Sequence, residues 1–183
     1  MANQATAGPY DAILRRAPPS DRYNLPVRHF DEIDRAILAR LQREGRIANT
    51  DLADAVNLSP SACLRRVKAL ERHGVIASYR AELDRDQLGL GITVFIELKV
   101  AGHSQQTSAV VETALAAIPG VVACHVISGT ADFLVEAAVP SLAAYERLLL
   151  DHILVIPAII EARSTFAIRT VTTRAPLPLD TLR

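Results

Sequence analysis

The chain has few of the residues that mark the specialised classes of protein. Its 183 residues include two cysteines, no tryptophan and only 4% aromatic residues, and its formal net charge is zero. Cys63 and Cys124 lie far apart without C-x-x-C or Cys/His spacing, so nothing indicates a disulfide framework or a metal site. No apolar run approaches the roughly 18 residues that span a bilayer, and the N-terminus lacks the pattern of a secretion signal. We therefore expect a cytoplasmic globular protein without a membrane partner, metal or cofactor.

The zero net charge conceals an uneven distribution along the chain. Residues 30–80 contain nine Lys/Arg against seven acidic residues, whereas residues 93–173 contain four against seven. This sorting predicts a mildly basic first region and an acidic second one, an arrangement that confines attraction for phosphate to one part of the molecule.

The stretch from Asn49 to His73 predicts two short helices joined by a tight turn. Thr50 is a suitable N-cap for the first helix, and Asn57 tolerates the left-handed backbone at its end. Ser59 followed by Pro60 is typical of an N-cap and a first helical residue. Such a pair is typical of a helix-turn-helix, whose second helix enters the major groove of DNA.

The second helix of this pair has an apolar side and a basic side. Cys63, Val67 and Leu70 recur at i, i+4 and i+7 and are expected to be buried. Basic and hydroxyl side chains then face outward. An ordinary solvated surface helix can also carry such residues, so the pattern alone leaves both interpretations open.

The flanking segments complete a predicted winged helix-turn-helix over residues 30–83. A helix is expected from Asp31 to near Gly45, Gly74 should end the last helix, and residues 75–83 alternate like the strand of a β-wing. Residues 1–29, which contain four prolines, are interpreted as a flexible tail. Residues 84–91 are predicted to be a hinge.

Residues 92–173 follow the order βαββαβ. Strands are predicted at 92–100, 121–128, 133–139 and 162–172, with helices at 104–118 and from Ser141 onward. This order is typical of a ferredoxin-like sandwich, which makes the fold class α+β. The inner side of the last helix is predicted to carry Leu142, Tyr145, Leu148, Leu149 and His152. The uncovered sheet face is interpreted as apolar, which favours a homodimer packed sheet against sheet. Residues 174–183 are predicted to be a C-terminal tail.

Several segments together resemble the Lrp/AsnC family of leucine-responsive or feast/famine regulators. FDEIDRAILARLQREGR and LADAVNLSPSACLRRVKALERHGVIASYRAELD are similar to that family's DNA-binding domain. IPGV, ISGTADF and the closing LPL are similar to its effector domain, called RAM. The resemblance covers residues 30–179. It implies a transcriptional regulator that binds double-stranded DNA, forms homodimers and higher assemblies such as octamers, and binds an amino acid or related metabolite between effector domains.

By position in the second helix, the resemblance also implies a set of DNA contacts. Ser59 and Ser61 suit phosphate oxygens, Arg65 and Lys68 suit base edges, and Leu64 suits a thymine methyl group. The full set is Ser59, Ser61, Leu64, Arg65, Arg66, Lys68 and Arg72. For Arg66 a second interpretation is equally good, in which it braces Glu71 or another acid.

The effector site implied by the resemblance is the loop of Gly129, Thr130, Ala131 and Asp132, together with Ser164. Glycine lets backbone N–H groups approach a carboxylate, and the aspartate can accept from an ammonium group or fix the loop. A plain hairpin turn is the alternative. Two positions depart from the family. Ala162 and Ser164 replace common threonines, and Asn57 stands where glycine is usual.

Two functions other than regulation are the alternatives. Siroheme decarboxylases resemble this family, but His73, His103, His125 and His152 form no evident cluster, and no catalytic constellation is present, so we do not expect an enzyme. An amino-acid-sensing module without DNA binding is the other alternative, and the basic second helix argues against it.

Overall fold

The computed structural model describes residues 29–102, 104–173 and 175–179. They form two compact units, one made of residues 29–79 with 175–179 and the other of residues 80–173. The predicted N-terminal tail lies outside the described residues except for His29, and His103 also lies outside them. The domain boundaries drawn from the sequence remain predictions.

The first unit contains three helices, α1 (Glu32–Arg43), α2 (Asn49–Ala55) and α3 (Pro60–Arg72). The Asp31 carboxylate caps α1 by accepting from the Asp34 N–H at 2.8 Å. The prediction that Thr50 caps α2 is wrong. The Leu52 N–H already donates to the Ala48 carbonyl at 2.9 Å, so the helix starts before Thr50 and has no side-chain cap.

The predicted turn between α2 and α3 is confirmed. Asn57 has a φ of 54°, the left-handed conformation that asparagine tolerates. The Ser59 hydroxyl caps α3 by accepting from the Ala62 N–H at 3.3 Å. Cys63, Val67 and Leu70 are buried in the core of this unit, so the apolar side of α3 faces inward as its periodicity predicts.

The β-wing expected at residues 75–83 is absent from the described structure. Val75 and Ile76 pack against the helical core, and residues 77–83 are exposed without a strand partner. A strand needs a neighbouring ladder to satisfy its backbone groups, and no described segment supplies one. The Tyr79 hydroxyl instead donates to Glu71 at 3.0 Å. Partial desolvation of the Tyr79 hydroxyl and this contact with Glu71 raise the pKa of Tyr79 to about 12.

The second unit is the predicted βαββαβ sandwich. Its strands are β1 (Ile92–Val100), β2 (Val121–Val126), β3 (Phe133–Val139) and β4 (Ile159–Phe166), and they form one antiparallel sheet in the order β2-β3-β1-β4. Helices α4 (Gln105–Ala116) and α5 (Leu142–Arg147) pack on one face, and α5 continues into a π-helical segment, Leu148–Ile153. The ferredoxin-like fold is confirmed.

Two details of this unit differ from the sequence prediction. The last strand covers residues 159–166 rather than 162–172, because its pairing with β1 ends at the pair of Val94 and Phe166. Leu142 is 63% exposed and His152 is also exposed, although both were expected to face inward. The π-helical segment changes the spacing of the inner face to i, i+5, so Leu148 and Ile153 are the buried pair.

The uncovered sheet face is mixed rather than apolar, which contradicts the sequence interpretation. Phe95 and Leu134 lie among Thr93, Glu97, Lys99, Glu136, Glu161, Arg163 and Thr165, since alternate residues of each strand share a face. Glu161 is within 3.8 Å of Lys99 and 3.4 Å of Arg163. Arg85 contacts Glu136 at 2.8 Å and Thr93 at 3.1 Å.

Candidate functional site

The outer face of α3 presents exposed basic side chains. Arg65, Lys68 and Arg72 are exposed, and none of them forms an ion pair with another described residue. Leu64 is 42% exposed on the same helix. These cations are therefore available to an anionic partner, with an apolar contact beside them.

The N-terminus of α3 adds hydroxyl groups and backbone donors to this face. The Ser59 and Ser61 hydroxyls lie 3.3 Å apart, at the helix end where free N–H groups and the helix dipole favour anions. The Asn49 amide of α2 donates to the Pro60 carbonyl at 2.9 Å and so fixes the start of α3. Sequence reasoning missed Asn49, because its partner is defined only by how the turn folds.

Arg66 points to α1 instead of outward. Its Nη1 lies 2.7 Å from Asp31 Oδ2 and 2.9 Å from Asp34 Oδ1. The N–H of Asp34 and the Arg66 guanidinium lower the pKa of Asp31, while Asp31 and Asp34 raise that of Arg66. Arg66 therefore braces acidic residues, as the second interpretation predicts, but these residues are Asp31 and Asp34 and not Glu71. This ion pair joins α3 to α1.

The predicted effector loop is tied to the end of β1. The Asp132 N–H donates to the Leu98 carbonyl, and Asp132 Oδ2 accepts from the Val100 N–H, both at 2.9 Å. Asp132 therefore fixes the loop, which is one of the two roles that the sequence predicts for it. Gly129 has a φ of 129°, in the region that glycine adopts readily.

The tip of this loop has donors that other described residues do not use. No described acceptor binds the backbone N–H of Gly129 or Thr130. Thr130 and Ala131 line a small pocket of about 50 Å³. Its other lining residues are Leu98 and the charged Glu97, Lys99, Glu161 and Arg163. Charges of both signs next to free N–H groups suit a small zwitterion.

Ser164 is not brought to this pocket. It pairs with Ile96 across the sheet and therefore lies on the helix-covered face, where its hydroxyl hydrogen-bonds that of Tyr145. The Tyr145 ring packs edge-on against Phe166 with centroids 5.1 Å apart. Within this chain Ser164 therefore contributes to packing under α5.

A larger cleft of about 250 Å³ lies between the start of α4 and the segment before β4. Gln106, Thr107, Val110, Ile156, Pro157 and Ala158 line it. Sequence reasoning gave no signal for it, because two segments about fifty positions apart form its walls. The lining offers no charged group that would orient a ligand.

The described residues contain no group of three or more His, Cys, Asp or Glu placed to hold a metal ion, and none of the described helices is long and apolar enough to cross a membrane.

Burial raises the pKa of Cys63, and burial together with Glu112 raises that of Cys124 to about 11. A raised pKa favours the protonated thiol, which is the less reactive form.

Comparisons with known proteins agree with this geometry. Residues 30–77 match the family described as "Winged helix-turn-helix DNA-binding", and residues 93–177 match "Lrp/AsnC ligand binding domain". The leucine-responsive regulatory protein of Escherichia coli is 36% identical over 144 residues, which are 79% of this chain and 88% of that protein. Its counterpart in Serratia marcescens is 37% identical over 139 residues, 76% of this chain and 85% of that protein.

Solved structures give the same result. A transcriptional regulator from Neisseria meningitidis in complex with L-Met superposes with a TM-score of 0.80 at 31% identity, covering 85% of this chain and all of that one. An AsnC family regulator from Agrobacterium tumefaciens gives 0.79 at 32% identity, with 84% and 100% covered. The chain therefore belongs to the Lrp/AsnC family and is a DNA-binding transcriptional regulator with a ligand-binding domain.

Proposed function

We propose that this regulator reads double-stranded DNA with the outer face of α3 and that an amino acid bound at the loop of residues 128–132 modulates that binding. The observation that carries the DNA assignment is the set of exposed cations Arg65, Lys68 and Arg72, which have no ion-pair partner in the described part of the chain and lie beside the hydroxyl-lined start of α3. Ser59, Ser61 and Arg72 contact phosphates, while Leu64, Arg65 and Lys68 face the bases. Arg66 positions α3 through Asp31 and Asp34.

The DNA assignment is tested by comparing arginines in salt-dependent gel shifts. Arg65→Ala should weaken binding at a specific site by about 1 to 3 kcal/mol and leave binding to random DNA much less affected. Arg147→Ala, an exposed arginine of α5, is the matched control and should change neither affinity. Equal losses on specific and random DNA would show that Arg65 contacts a phosphate instead of a base.

The effector proposal rests on the donors and charges around the loop. The free N–H groups of Gly129 and Thr130 suit the carboxylate of an amino acid, and the carboxylates of Glu97 and Glu161 suit its ammonium group. The similar protein from Neisseria meningitidis was solved with L-Met, which supports an amino acid as the class of ligand. We assign Ser164 a packing role only.

A thermal-stability scan of the twenty amino acids tests this site, because a ligand that binds only the folded chain raises its melting temperature. Gly129→Ala should abolish the shift caused by the best ligand. Gly102→Ala is the matched control, since Gly102 also has a positive φ, of 79°, and open space around it. If the ligand still raises the melting temperature of Gly129→Ala, the ligand binds elsewhere, and the apolar cleft at Val110 is the next candidate.

We further propose that the chain acts as a homodimer, that a DNA target places it in the cytoplasm, and that it regulates without catalysing a reaction. The family consists of transcriptional regulators, which supports the last point. Tetrapyrrole absorbance in the purified protein would argue for the decarboxylase alternative. Failure to shift any DNA at low salt would argue for a sensing module without DNA binding.

A further inference from the structure

The C-terminal segment, defined as Ala175–Leu179, packs with the first unit and not with the second. The sequence match to the ligand-binding domain extends to residue 177, and the match to the DNA-binding domain ends at residue 77. Sequence similarity therefore assigns most of this segment to the ligand-binding domain. The folded chain places it against the helices of the DNA-binding unit.

Gln42 of α1 holds the segment by its backbone. Its Oε1 accepts from the Leu177 N–H at 2.6 Å, and its Nε2 donates to the Leu177 carbonyl at 3.3 Å. One side-chain amide thus satisfies both backbone groups of one residue, as a neighbouring strand would. The side chain of Leu177 is 72% exposed, so this attachment does not depend on its apolar character.

Leu179 supplies the apolar part of the contact. It is half-buried against the helical core of the first unit, the cluster that contains Ile37, Leu52 and Leu70. Pro176 and Pro178 flank Leu177, and proline restricts the backbone before folding as well as after. The segment therefore loses little conformational entropy when it binds to α1.

The stretch just before the segment is also fixed. The Thr173 hydroxyl donates to Glu82 at 2.7 Å, so inside the second unit the chain leading to the segment is bonded to the chain that follows Tyr79. This hydrogen bond therefore holds the two ends of the second unit together.

We infer that the C-terminal segment is a structural strap of the DNA-binding unit, which holds α1 in place. Helix α1 carries the strap contact at Gln42 and the acid Asp34, and its N-cap is Asp31; these two acids hold Arg66 of α3. Loss of the strap therefore loosens α1 and, through it, the placement of the recognition helix. This assigns the closing LPL sequence to DNA binding and not to the ligand site.

Cross-linking tests whether the strap and α1 belong to one chain. Gln42→Cys combined with Leu177→Cys, treated with a short bismaleimide, should give a cross-linked product of monomer mass that still binds DNA. Each single variant is the control for reaction with Cys63 and Cys124. A product of dimer mass would show that the segment belongs to a neighbouring copy and would overturn the inference, as would the absence of any product specific to the double variant.

Hydrogen exchange of the whole protein tests what the strap does. The test variants are a chain that ends at Thr173 and the milder Leu179→Ala and Gln42→Ala. In each of them the amides of α1 should exchange about tenfold faster than in the native chain, which is the effect expected from a lost hydrogen bond or local contact. Exchange in β1 and β3 should be unchanged. Gln105→Ala, an exposed glutamine of α4, is the matched control. Unchanged exchange in α1, or equal acceleration in β1 and β3, would overturn the assignment.

DNA affinity supplies the functional readout. The variant Leu179→Ala removes no DNA-facing side chain, yet it should weaken binding in the same gel shift that reports on Arg65. Full affinity in the variants with loosened α1 would show that the strap stabilises the unit without positioning α3, which would contradict the inference.

Discussion

At the scale of single residues, the adjacent arginines Arg65 and Arg66 of α3 have different roles. Arg65 is exposed without an ion-pair partner among the described residues, whereas Arg66 is half-buried between Asp31 and Asp34. The helical period places them on different sides of α3, which the sequence reveals. The partners of Arg66 lie 35 and 32 residues away, so only the folded chain identifies them.

The Asp31 carboxylate should make stability depend on acid pH. Because its pKa in the folded state is below the ordinary value of 3.8, its contribution is present above that value and is lost as the pH falls through the lowered pKa. Asp31→Asn keeps a good N-cap and removes the charge. The variant should be less stable by no more than about 1 kcal/mol at pH 7, since the pair is partly exposed.

Urea unfolding of both chains at pH 7, 5, 4 and 3 measures this difference. We expect it to stay constant between pH 7 and 5 and to shrink towards pH 3. A difference that persists unchanged at pH 3 would show that the loss in Asp31→Asn comes from the cap geometry rather than from the charge.

At the scale of single elements, most of the features that could be predicted depend on the local preferences of individual residues. Ser59, Asn57 and Gly74 signal the ends of helices through their own backbone and side-chain preferences, and the structure confirms all three. Features that depend on distant partners were not predictable. The end of β4 depends on where its pairing with β1 stops. The wing is missing because no described segment supplies a partner strand, and the hydrogen bond of Asn49 depends on how the turn folds.

The π-helical segment gives the clearest prediction for an element. Ile153 is fully buried, whereas His152, which the ordinary helical period places inward, is exposed. Ile153→Ala should therefore lower the free energy of unfolding by about 2 to 5 kcal/mol. His152→Ala, the adjacent control, should change it by less than about 0.5 kcal/mol. Denaturant unfolding measures the free-energy change in both variants. A larger loss in His152→Ala than in Ile153→Ala would show that the segment follows the regular α-helical period.

At the scale of the whole molecule, the charge sorting read from the sequence coincides with the two units. Arg65, Lys68 and Arg72 of α3 are exposed and have no ion-pair partner among the described residues, while two acids of the second unit are paired with nearby bases, Glu136 with Arg85 and Glu161 with Lys99. The order βαββαβ was predictable because each element has its own apolar period. The character of the open sheet face was not, because it depends on which residues the pairing register aligns.

The mixed sheet face bears on the proposed homodimer. An interface need not be more apolar than the rest of a surface, provided its centre excludes water and its rim pairs charges. Phe95, 37% exposed, and Leu134 form such a centre, and the charged residues around them form such a rim. We therefore expect this face to be the dimer interface although it is not uniformly apolar.

Phe95→Glu tests this interface, because it places a charge among Glu97 and Glu136 where two sheets would meet. Light scattering after size exclusion should show a dimer for the native chain and a monomer for the variant. DNA affinity should fall with it, since a dimer positions two recognition helices on two half-sites. Ile168→Glu is the control at a fully exposed apolar residue beyond β4. A variant that remains dimeric would place the contact between copies on another surface, and the exposed side chains of Val110 and Val155 would then be the next to change.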